Sequence, residues 1–494
     1  MTTRWRTKSV EQSIADTDEP STRLRKDLTW WDLTVFGVSV VIGAGIFTIT
    51  ASTAGNLTGP AISISFLIAA VACGLAALCY AEFASTVPVA GSAYTFSYAT
   101  FGEFVAWIIG WDLILEFAVA AAVVAKGWSS YLGTVFNFGG GTMQIGGGLT
   151  LDWGALLIIA VVTFLLARGT KISAMVSLVI TVIKVSVVLL VVFVGAFYIN
   201  TANYTPFIPP AESGDGSGGG TGAEQSLFSL LTGAEGSHYG WYGLLAGASI
   251  VFFAFIGFDI VATTAEETRN PQRDVPRGIL GSLAIVTVLY VAVSVVLSGM
   301  VSYRDLKTVD GESANLATAF AQNGVDWAAK VISIGALAGL TTVVIVLMLG
   351  QTRVLFAMSR DGLMPRQLAK TGPHGTPVRT TLIVGGAVAV AASVFPIGKL
   401  EEMVNIGTLF AFVLVSAGVL VLRRTRPDLP RGFRTPLVPV LPVAAILACV
   451  WLMLNLTGLT WIRFLIWMAI GVVIYFLYGR RRSVLATRDT TPTA

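Results

Sequence analysis

Charged, histidine and cysteine residues are scarce in this sequence of 494 residues. Only 12% of the residues are Asp, Glu, Lys or Arg, and there are two histidines and three cysteines. Cys73, Cys79 and Cys449 all lie in apolar runs, so neither a disulfide framework nor a Cys/His zinc site is indicated. The GxSxG and HExxH motifs and the Walker loop are also missing. We therefore predict that the protein is not an enzyme and has no metal or organic cofactor.

Apolar residues dominate the composition instead. They make up 54% of the chain, and the mean hydropathy is +0.77, which is far from the balance of a soluble domain. The net charge of +4 comes from basic residues in short loops between apolar runs, so it reflects topology and not binding to nucleic acid. The composition predicts an integral membrane protein in contact with lipids, with no nucleic-acid partner and no particular protein partner indicated.

Twelve apolar runs approach or exceed the roughly 20 residues that a helix needs to cross a bilayer. Numbered in chain order as spans 1 to 12, they lie at residues 31–58, 62–84, 103–135, 153–167, 174–198, 239–266, 277–301, 327–359, 380–396, 400–422, 438–457 and 460–478. The pattern predicts an all-α membrane protein with one transporter-sized domain over 28–479, between tails of 1–27 and 480–494. No loop is long enough for a sizeable soluble domain, so function must lie among the helices.

Basic residues in the loops give the orientation of the spans. Almost all loop lysines and arginines fall on the side that holds both tails, and the opposite side has only Arg304, Lys307 and Lys399. Basic residues are enriched in cytoplasmic loops. The asymmetry therefore predicts a multi-pass protein of the plasma (inner) membrane with both termini in the cytoplasm.

Span 1 contains the stretch VVIGAGIFTI, in which Gly43 and Gly45 interrupt an apolar run. Every backbone N–H and C=O group in hydrocarbon needs a partner, so irregular backbone is tolerated only where it lines a polar cavity. The alternative is that the glycines only allow neighbouring helices to pack closely. A break in span 1 is therefore one of two interpretations of this stretch.

Span 6 has a matching irregularity in ASIVFFAFIGFDIVATTAEE. Gly257 is followed by Asp259, an acid in an otherwise apolar run, which costs about 2.5–3.5 kcal/mol on insertion scales. Spans 1 and 6 are corresponding members of two five-helix halves, as expected if the fold contains an inverted repeat whose equivalent helices unwind at mid-membrane. Two interruptions at corresponding positions favour paired breaks over simple packing.

Paired breaks would bind a small zwitterion. Freed N–H groups at the start of the outer half of span 1, near Gly45 and Ile46, favour an anionic group at the positive end of a helix dipole. Freed carbonyl groups would accept from an ammonium group; they lie around Ile42, Phe253, Ala254 and Ile256. An α-amino acid carries both charges, so its head group fits such a site.

The sequence resembles a bacterial member of the cationic amino acid transporter family, within the amino acid-polyamine-organocation superfamily. The matching stretches are VIGAGIF (41–47), YAEFASTVPVAGSAY (80–94), GWDLILEFAVAAAVVAKGWSSY (110–131), FFAFIGFDIVATTAEETRNPQRDVPRGI (252–279) and LGQTRVLFAMSRDGLMP (349–365). The resemblance implies twelve transmembrane helices in a LeuT-like fold, with two inverted five-helix repeats and two additional helices. It also implies alternating access, with the substrate head group around Gly43 and Phe255. The carboxylate then lies on Ala44 and Gly45, and the amino group lies on the carbonyls of Ile42, Phe253, Ala254 and Ile256.

Lys184 in span 5 is far from the nearest loop. It either pairs with a carboxylate or gives up its proton, because burial disfavours the charged form. In the resembling family a lysine on this helix occupies the place where sodium-coupled relatives hold a sodium ion. The resemblance therefore implies proton coupling through Lys184, with the proton as the coupling ion and no sodium.

Two further acids and several large side chains are candidates for the side-chain end of the substrate. The resemblance places Glu116 and Asp259 there, where they would suit a lysine or arginine substrate; alternatively Glu116 pairs with a neighbouring helix and Asp259 bonds backbone freed by the break. A bulky residue on span 8, Met348, would favour small neutral substrates. Phe253 and Phe258 either close over the substrate or simply pack. No function is predicted for Lys126.

Other membrane classes fit less well. A channel would need a selectivity-filter sequence, and none is repeated here. Amino acid exchange uses the same site as proton symport, so it remains an alternative. A transporter-like sensor also keeps the binding site, although such a protein usually has an added soluble signalling segment.

Overall fold

The computed structural model describes residues 27–87, 92–136, 142–144, 150–169, 174–213, 225–232, 237–262, 264–307, 314–370 and 376–484. These residues are almost entirely helical. Two short antiparallel strand pairs interrupt the helices, Thr142–Gln144 with Thr150–Asp152 and Glu212–Ser213 with Ser237–His238. Both pairs lie in connections between spans, so any site inside the bundle is built from helices.

Helices coincide with every predicted span, and their bounds agree closely with the apolar runs. Spans 1 to 6 are Trp30–Val41 with Gly45–Ile49, Thr50–Thr53 and Ala54–Thr58; Ile62–Thr86; Glu103–Phe136; Trp153–Ala167; Ala174–Gly195; and Gly240–Val251 with Phe252–Phe255 and Phe258–Ala262. Spans 7 to 12 are Pro271–Met300, Asp326–Arg360, Val378–Val394, Ile397–Thr425, Val440–Leu454, and Gly458–Ile474 with Tyr475–Gly479 and Arg480–Arg482. Helices Ser92–Thr100, Leu227–Thr232 and Leu316–Gln322 lie in the connections.

Eight helical runs within the described residues are long and apolar enough to cross a membrane, and the first of them, Trp30–Thr86, contains both span 1 and span 2. Three shorter apolar helices correspond to spans 4, 9 and 11. The prediction of an all-helical membrane protein is confirmed. The count of twelve crossings and the inverted repeats stay predictions.

Span 3 and span 8 form the most extensive helix contact of the described bundle. They run antiparallel, because Trp128 donates to the Thr341 hydroxyl at 3.0 Å while Gln351 donates to the Ile114 carbonyl at 3.2 Å. The contacts between spans 3 and 8 therefore show which residues of the two helices lie at the same depth in the bundle.

The first and last described residues lie at one end of the bundle. The backbone N–H of Leu28 donates to the Glu267 carbonyl at 3.0 Å. Glu103, at the start of span 3, accepts from the Tyr475 hydroxyl at 3.0 Å and from the buried hydroxyl of Ser483. These contacts hold both ends of the described chain against the helix bundle, and we call that side of the bundle the terminal end.

Candidate functional site

Span 1 is interrupted where the sequence predicts a break. Its first helix ends at Val41, the residues Ile42 and Gly43 are not helical, and a wide π-type helix resumes at Gly45–Ile49. Ile42 has extended backbone, with φ −68° and ψ 94°. Such π-type turns are rare and often occur at functional sites.

Span 6 is interrupted at the corresponding position. A tight 3₁₀ turn over Phe252–Phe255 ends the outer helix, and a short helix over Phe258–Ala262 follows. Between them Gly257 has φ +120°, a conformation that side-chain-bearing residues rarely adopt. Glycine is therefore required at this point of the break.

The two breaks touch each other. A Cβ added to Gly45 would lie 2.2 Å from the Cα of Ala254, far inside van der Waals contact. The alternative interpretation of the glycines was close helix packing. Such packing is present, and it occurs at the point where both helices are broken. Packing and interruption occur together, because only glycine lets one unwound segment approach the other.

Donors from other helices bond several carbonyl groups beside the breaks. Lys184 Nζ donates to the Ser39 carbonyl at 2.8 Å, and the Tyr290 hydroxyl donates to the Val41 carbonyl at 2.7 Å. On span 6, Asn405 Nδ2 donates to the Ser249 carbonyl at 2.9 Å. These bonds supply partners for backbone groups at mid-span.

Three of the four carbonyl groups predicted to receive an ammonium group have no donor in the described part of the chain. They are the carbonyls of Ile42, Ala254 and Ile256, whereas the Phe253 carbonyl accepts from the Ile256 N–H at 3.2 Å. Buried backbone acceptors are seldom left unpaired, so these three atoms are candidates for ligand contact.

Lys184 is fully buried, with 1% of its surface exposed. None of the ion pairs between described residues includes this lysine, so the predicted carboxylate partner is not observed and its one partner there is the Ser39 carbonyl. Its stem packs over Gly339 of span 8, where an added Cβ would be 2.9 Å from Cγ of the lysine. The ammonium group is therefore directed at span 1, just before the break.

Glu116 and Asp259 are both buried. Backbone N–H groups of Gly257 and Ile260 lie within hydrogen-bonding reach of the Asp259 carboxylate, which fits the alternative that Asp259 bonds backbone freed by the break. Its Oδ1 atom and the Oε1 atom of Glu116 nevertheless have no hydrogen-bond partner in the described residues. The hydroxyl of Thr408 lies near Glu116, but it donates to the Val404 carbonyl at 3.1 Å.

The aromatic candidates differ from one another. The ring of Phe258 packs against those of Phe412 and Tyr80, with centroid distances of 5.1 and 5.9 Å. This environment agrees with the interpretation that Phe258 simply packs. Phe253 takes part in none of the ring pairs among the described residues, although it is buried. It is therefore the better candidate for contact with a ligand.

Met348 is completely buried on span 8. Val343 packs beside Gly43, and Gly350 packs beside Phe117 of span 3, so Met348 lies between the depth of the break and that of the span 3 acids. The role of Met348 in limiting the size of the substrate stays a prediction.

Lys126 has a structural environment. Its Nζ donates to the Ala392 carbonyl at 2.9 Å and lies 3.8 Å from Asp152 Oδ2. A cation near the last carbonyls of a helix is stabilising, and Ala392 is in the last turn of span 9. The lysine therefore connects spans 3 and 9, away from the breaks.

Tyr290, Tyr131 and Asn405 were not predicted. Tyr131 donates to the Phe47 carbonyl at 2.6 Å, so all three side chains bond backbone near a break. Asn405 could have been noticed as a lone amide inside an apolar run, because an unpaired amide there is costly. The tyrosines carry no such signal, since their rings are equally common in plain packing.

Tyr290→Phe is expected to lower the initial uptake rate about tenfold while the protein still folds, because it leaves the Val41 carbonyl unpaired beside the break. Uptake by purified protein in liposomes and the thermal unfolding temperature would be measured together. Tyr204→Phe is the matched control, since Tyr204 donates to the Val295 carbonyl at 2.8 Å at the periphery. Equal uptake by the two variants would contradict a role for Tyr290 at the break.

A helical membrane bundle in which two unwound helices meet has the architecture of a secondary transporter. The chain matches the profile of a family described as amino acid permease over residues 28–477. The chain belongs to this amino acid permease family, and the predicted resemblance is confirmed. Members of this family are transporters and not enzymes, as the missing catalytic motifs predict.

Three relatives match this chain over nearly the whole length of both proteins. The branched-chain amino acid permease BcaP of Bacillus subtilis (strain 168) is 44% identical over 492 residues, covering 97% of this chain and 98% of the relative. A methylthioribose transporter of the same organism is 40% identical, covering 98% and 100%. The vacuolar cationic amino acid transporter 4 of Arabidopsis thaliana is 30% identical, covering 95% and 94%.

Proposed function

We propose that this protein is a secondary active transporter that imports amino acids across the plasma membrane by proton-coupled symport and alternating access. The observation that carries the proposal is the meeting of the two breaks at Gly45 and Ala254, beside the Lys184 contact with Ser39. The chain crosses the membrane twelve times in this proposal, with two inverted five-helix repeats and both termini in the cytoplasm.

The head group of an amino acid would bind between the breaks. Its carboxylate would accept from the N–H groups of Ala44, Gly45 and Ile46, at the start of the outer part of span 1. Its ammonium group would donate to the free carbonyls of Ile42 and Ile256. A zwitterion supplies both missing partners, and a neutral or singly charged ligand supplies one at most.

The side chain of the substrate would extend towards Met348 and Glu116. Cationic and small neutral amino acids are the predicted classes, and the names of the relatives add branched-chain amino acids and methylthioribose to the candidates. Thermal unfolding with each of the twenty amino acids and with methylthioribose would rank them, because a ligand stabilises the folded state according to its affinity. No stabilisation by any amino acid would oppose the proposal.

Glu116→Gln and Asp259→Asn are expected to weaken arginine and lysine uptake about tenfold more than alanine uptake. Removing a carboxylate withdraws an acceptor from a basic side chain but leaves the head-group contacts intact. Competition of each amino acid against one labelled substrate measures the difference. Glu402→Gln is the control, because Glu402 lies near the start of span 10 and its carboxylate accepts from the Thr457 hydroxyl. An equal loss for all substrates would remove the specificity argument.

The position of Lys184 supports the proposed coupling to protons. The charged ammonium group stabilises the Ser39 carbonyl beside the break, and loss of the proton would remove that cation from span 1. A change in protonation would thus alter the stability of the segment that must move during alternating access. A sodium ion would compete for the same place, so we propose no sodium dependence.

The coupling ion is tested with purified protein in liposomes, where proton and sodium gradients are imposed separately. Accumulation driven by an inward proton gradient is expected, without a requirement for sodium. Sodium-driven uptake that is insensitive to pH would overturn this part of the proposal. An absolute need for substrate inside the liposomes would favour amino acid exchange instead of symport.

A further inference from the structure

Asp112 is a buried acid that the substrate site does not use. It lies on span 3 one turn before Glu116, and none of its side-chain surface is exposed. Neither Oδ1 nor Oδ2 has a hydrogen-bond partner in the described residues. An ionised carboxylate without donors or a counter-ion is strongly disfavoured in an apolar interior. The neutral, protonated form is therefore the form of the Asp112 carboxyl group that these surroundings favour.

The ion pairs among the described residues do not include Asp112, and the charged neighbour identified for it is another acid. Gly407 of span 10 packs directly on it, so that an added Cβ would lie 2.9 Å from Oδ1. The nearby titratable groups are Glu116 on the same helix and Tyr80 on span 2, and Asp259 of span 6 interacts with Glu116. Span 12 presents Trp467 to the neighbouring Trp111.

An uncharged side chain from another helix contacts the same part of span 3. Gln351 of span 8 is buried and donates to the Ile114 carbonyl at 3.2 Å, in the turn between Asp112 and Glu116. Its Oε1 atom has no hydrogen-bond partner among the described residues. Spans 3 and 8 thus each carry a buried side-chain oxygen without a described donor close to this part of their contact, and such an oxygen can receive a proton or another donor.

The acceptors do not form a metal site. No group of three or more His, Cys, Asp or Glu side chains in the described residues is arranged to hold a metal ion. A proton requires only one oxygen as its acceptor, so it fits this environment where a metal cation does not.

The position along the bundle separates Asp112 from the head-group site. Span 8 passes Gly43 at Val343 and reaches span 3 at Gln351. With a rise of ~1.5 Å per residue, these two positions are about 12 Å apart along the helix. Asp112 lies at the Gln351 end of this interval, towards the terminal end, whereas Lys184 contacts span 1 beside the break.

We propose that Asp112 is a second proton-binding site, distinct from Lys184, which must release and regain its proton during net transport. While spans 3 and 10 pack against each other, Asp112 is stable between them only in its neutral, protonated form. When that contact opens to water at the terminal end, the O–H bond of Asp112 breaks, the proton passes to water, and the carboxylate that remains is solvated. Reclosing requires a proton to return. This inference rests on the proposed proton coupling.

Asp112→Asn keeps the shape of the side chain but holds it permanently neutral. In liposomes, we expect net uptake driven by a proton gradient to fall at least about tenfold, with substrate exchange at equal pH within about twofold of the unaltered protein. The amide of Asp112→Asn corresponds to the neutral form that allows spans 3 and 10 to reclose, so exchange persists, whereas an imposed proton gradient can no longer act on this side chain. Asp152→Asn is the matched control, because Asp152 lies beside Lys126 in an ion pair, and both transport rates are expected to persist.

Infrared spectroscopy gives a reading that does not depend on transport. The carbonyl stretch of a protonated carboxylic acid is expected in the unaltered protein at neutral pH, weaker in Asp112→Asn and unchanged in Asp152→Asn. An unchanged band in Asp112→Asn, or equal loss of exchange and net uptake in a folded variant, would overturn the inference. Should that variant not fold, absence of the band from the unaltered protein would overturn it. If proton gradients fail to drive uptake while the Asp112 band is present, the proposed proton coupling is wrong, but the protonation of Asp112 is still supported.

Discussion

Replacing Gly45 by alanine is expected to reduce uptake at least about a hundredfold, because small displacements in a binding site can have effects of this size. The new methyl group would lie 2.2 Å from the Cα of Ala254, 2.4 Å from its Cβ and 2.9 Å from its backbone nitrogen. Backbone atoms cannot move aside by changing a rotamer, so the two broken helices would have to separate. Overpacking of this kind costs about 1–3 kcal/mol or more. Uptake in liposomes and thermal unfolding of purified Gly45→Ala would be compared with the unaltered protein.

Gly74→Ala is the control for the same chemical change. Gly74 lies in span 2, and a Cβ added there has nothing within 4 Å. We expect Gly74→Ala to retain both uptake and thermal stability. Normal uptake by Gly45→Ala would mean that the breaks need not touch, and the proposed head-group site would then lose its geometric basis.

Replacing Lys184 by methionine is expected to abolish accumulation driven by a proton gradient. The substitution keeps the unbranched stem over Gly339 but removes the donor to the Ser39 carbonyl. A buried carbonyl left unpaired costs about 1–3 kcal/mol, and here the loss falls on the segment next to the break. The remaining uptake should be about tenfold or more below normal and should not respond to an imposed pH gradient.

Lys126→Met tests whether loss of any membrane lysine has this effect. Lys126 donates to the Ala392 carbonyl, and its contacts lie on span 9 and near Asp152. We expect Lys126→Met to lower thermal stability while accumulation still follows the proton gradient. Proton-driven accumulation by Lys184→Met would show that another group carries the coupling, and the role proposed for Lys184 would be withdrawn.

The bounds of the spans were predictable because each depends on a local property of the chain. A long apolar run can satisfy its backbone in a membrane by forming a helix, so hydropathy and length place the helices within a few residues. The breaks were predictable for the same reason, since Gly43, Gly45 and Gly257 weaken an apolar helix wherever they occur.

The candidate site was predictable only in part. Lys184 and Asp259 attracted attention because a charge in an apolar run is costly, whatever surrounds it. Asp112 is equally buried but went unused, because the resemblance gave it no role and hydropathy does not show whether an acid has a partner. Its neighbours, Gly407 and Gln351, come from other helices.

The amino-acid sequence by itself determined the membrane class, the positions of the helices and the residues that are expensive to bury, because these follow from the composition and order of nearby residues. Only the tertiary structure decided that Gly45 meets Ala254, that Tyr290 bonds Val41 across 249 positions of the chain, and that Lys184 bonds Ser39 across 145. Such pairings depend on how helices pack side by side, and the pattern within one helix does not determine which surface of another helix it will contact.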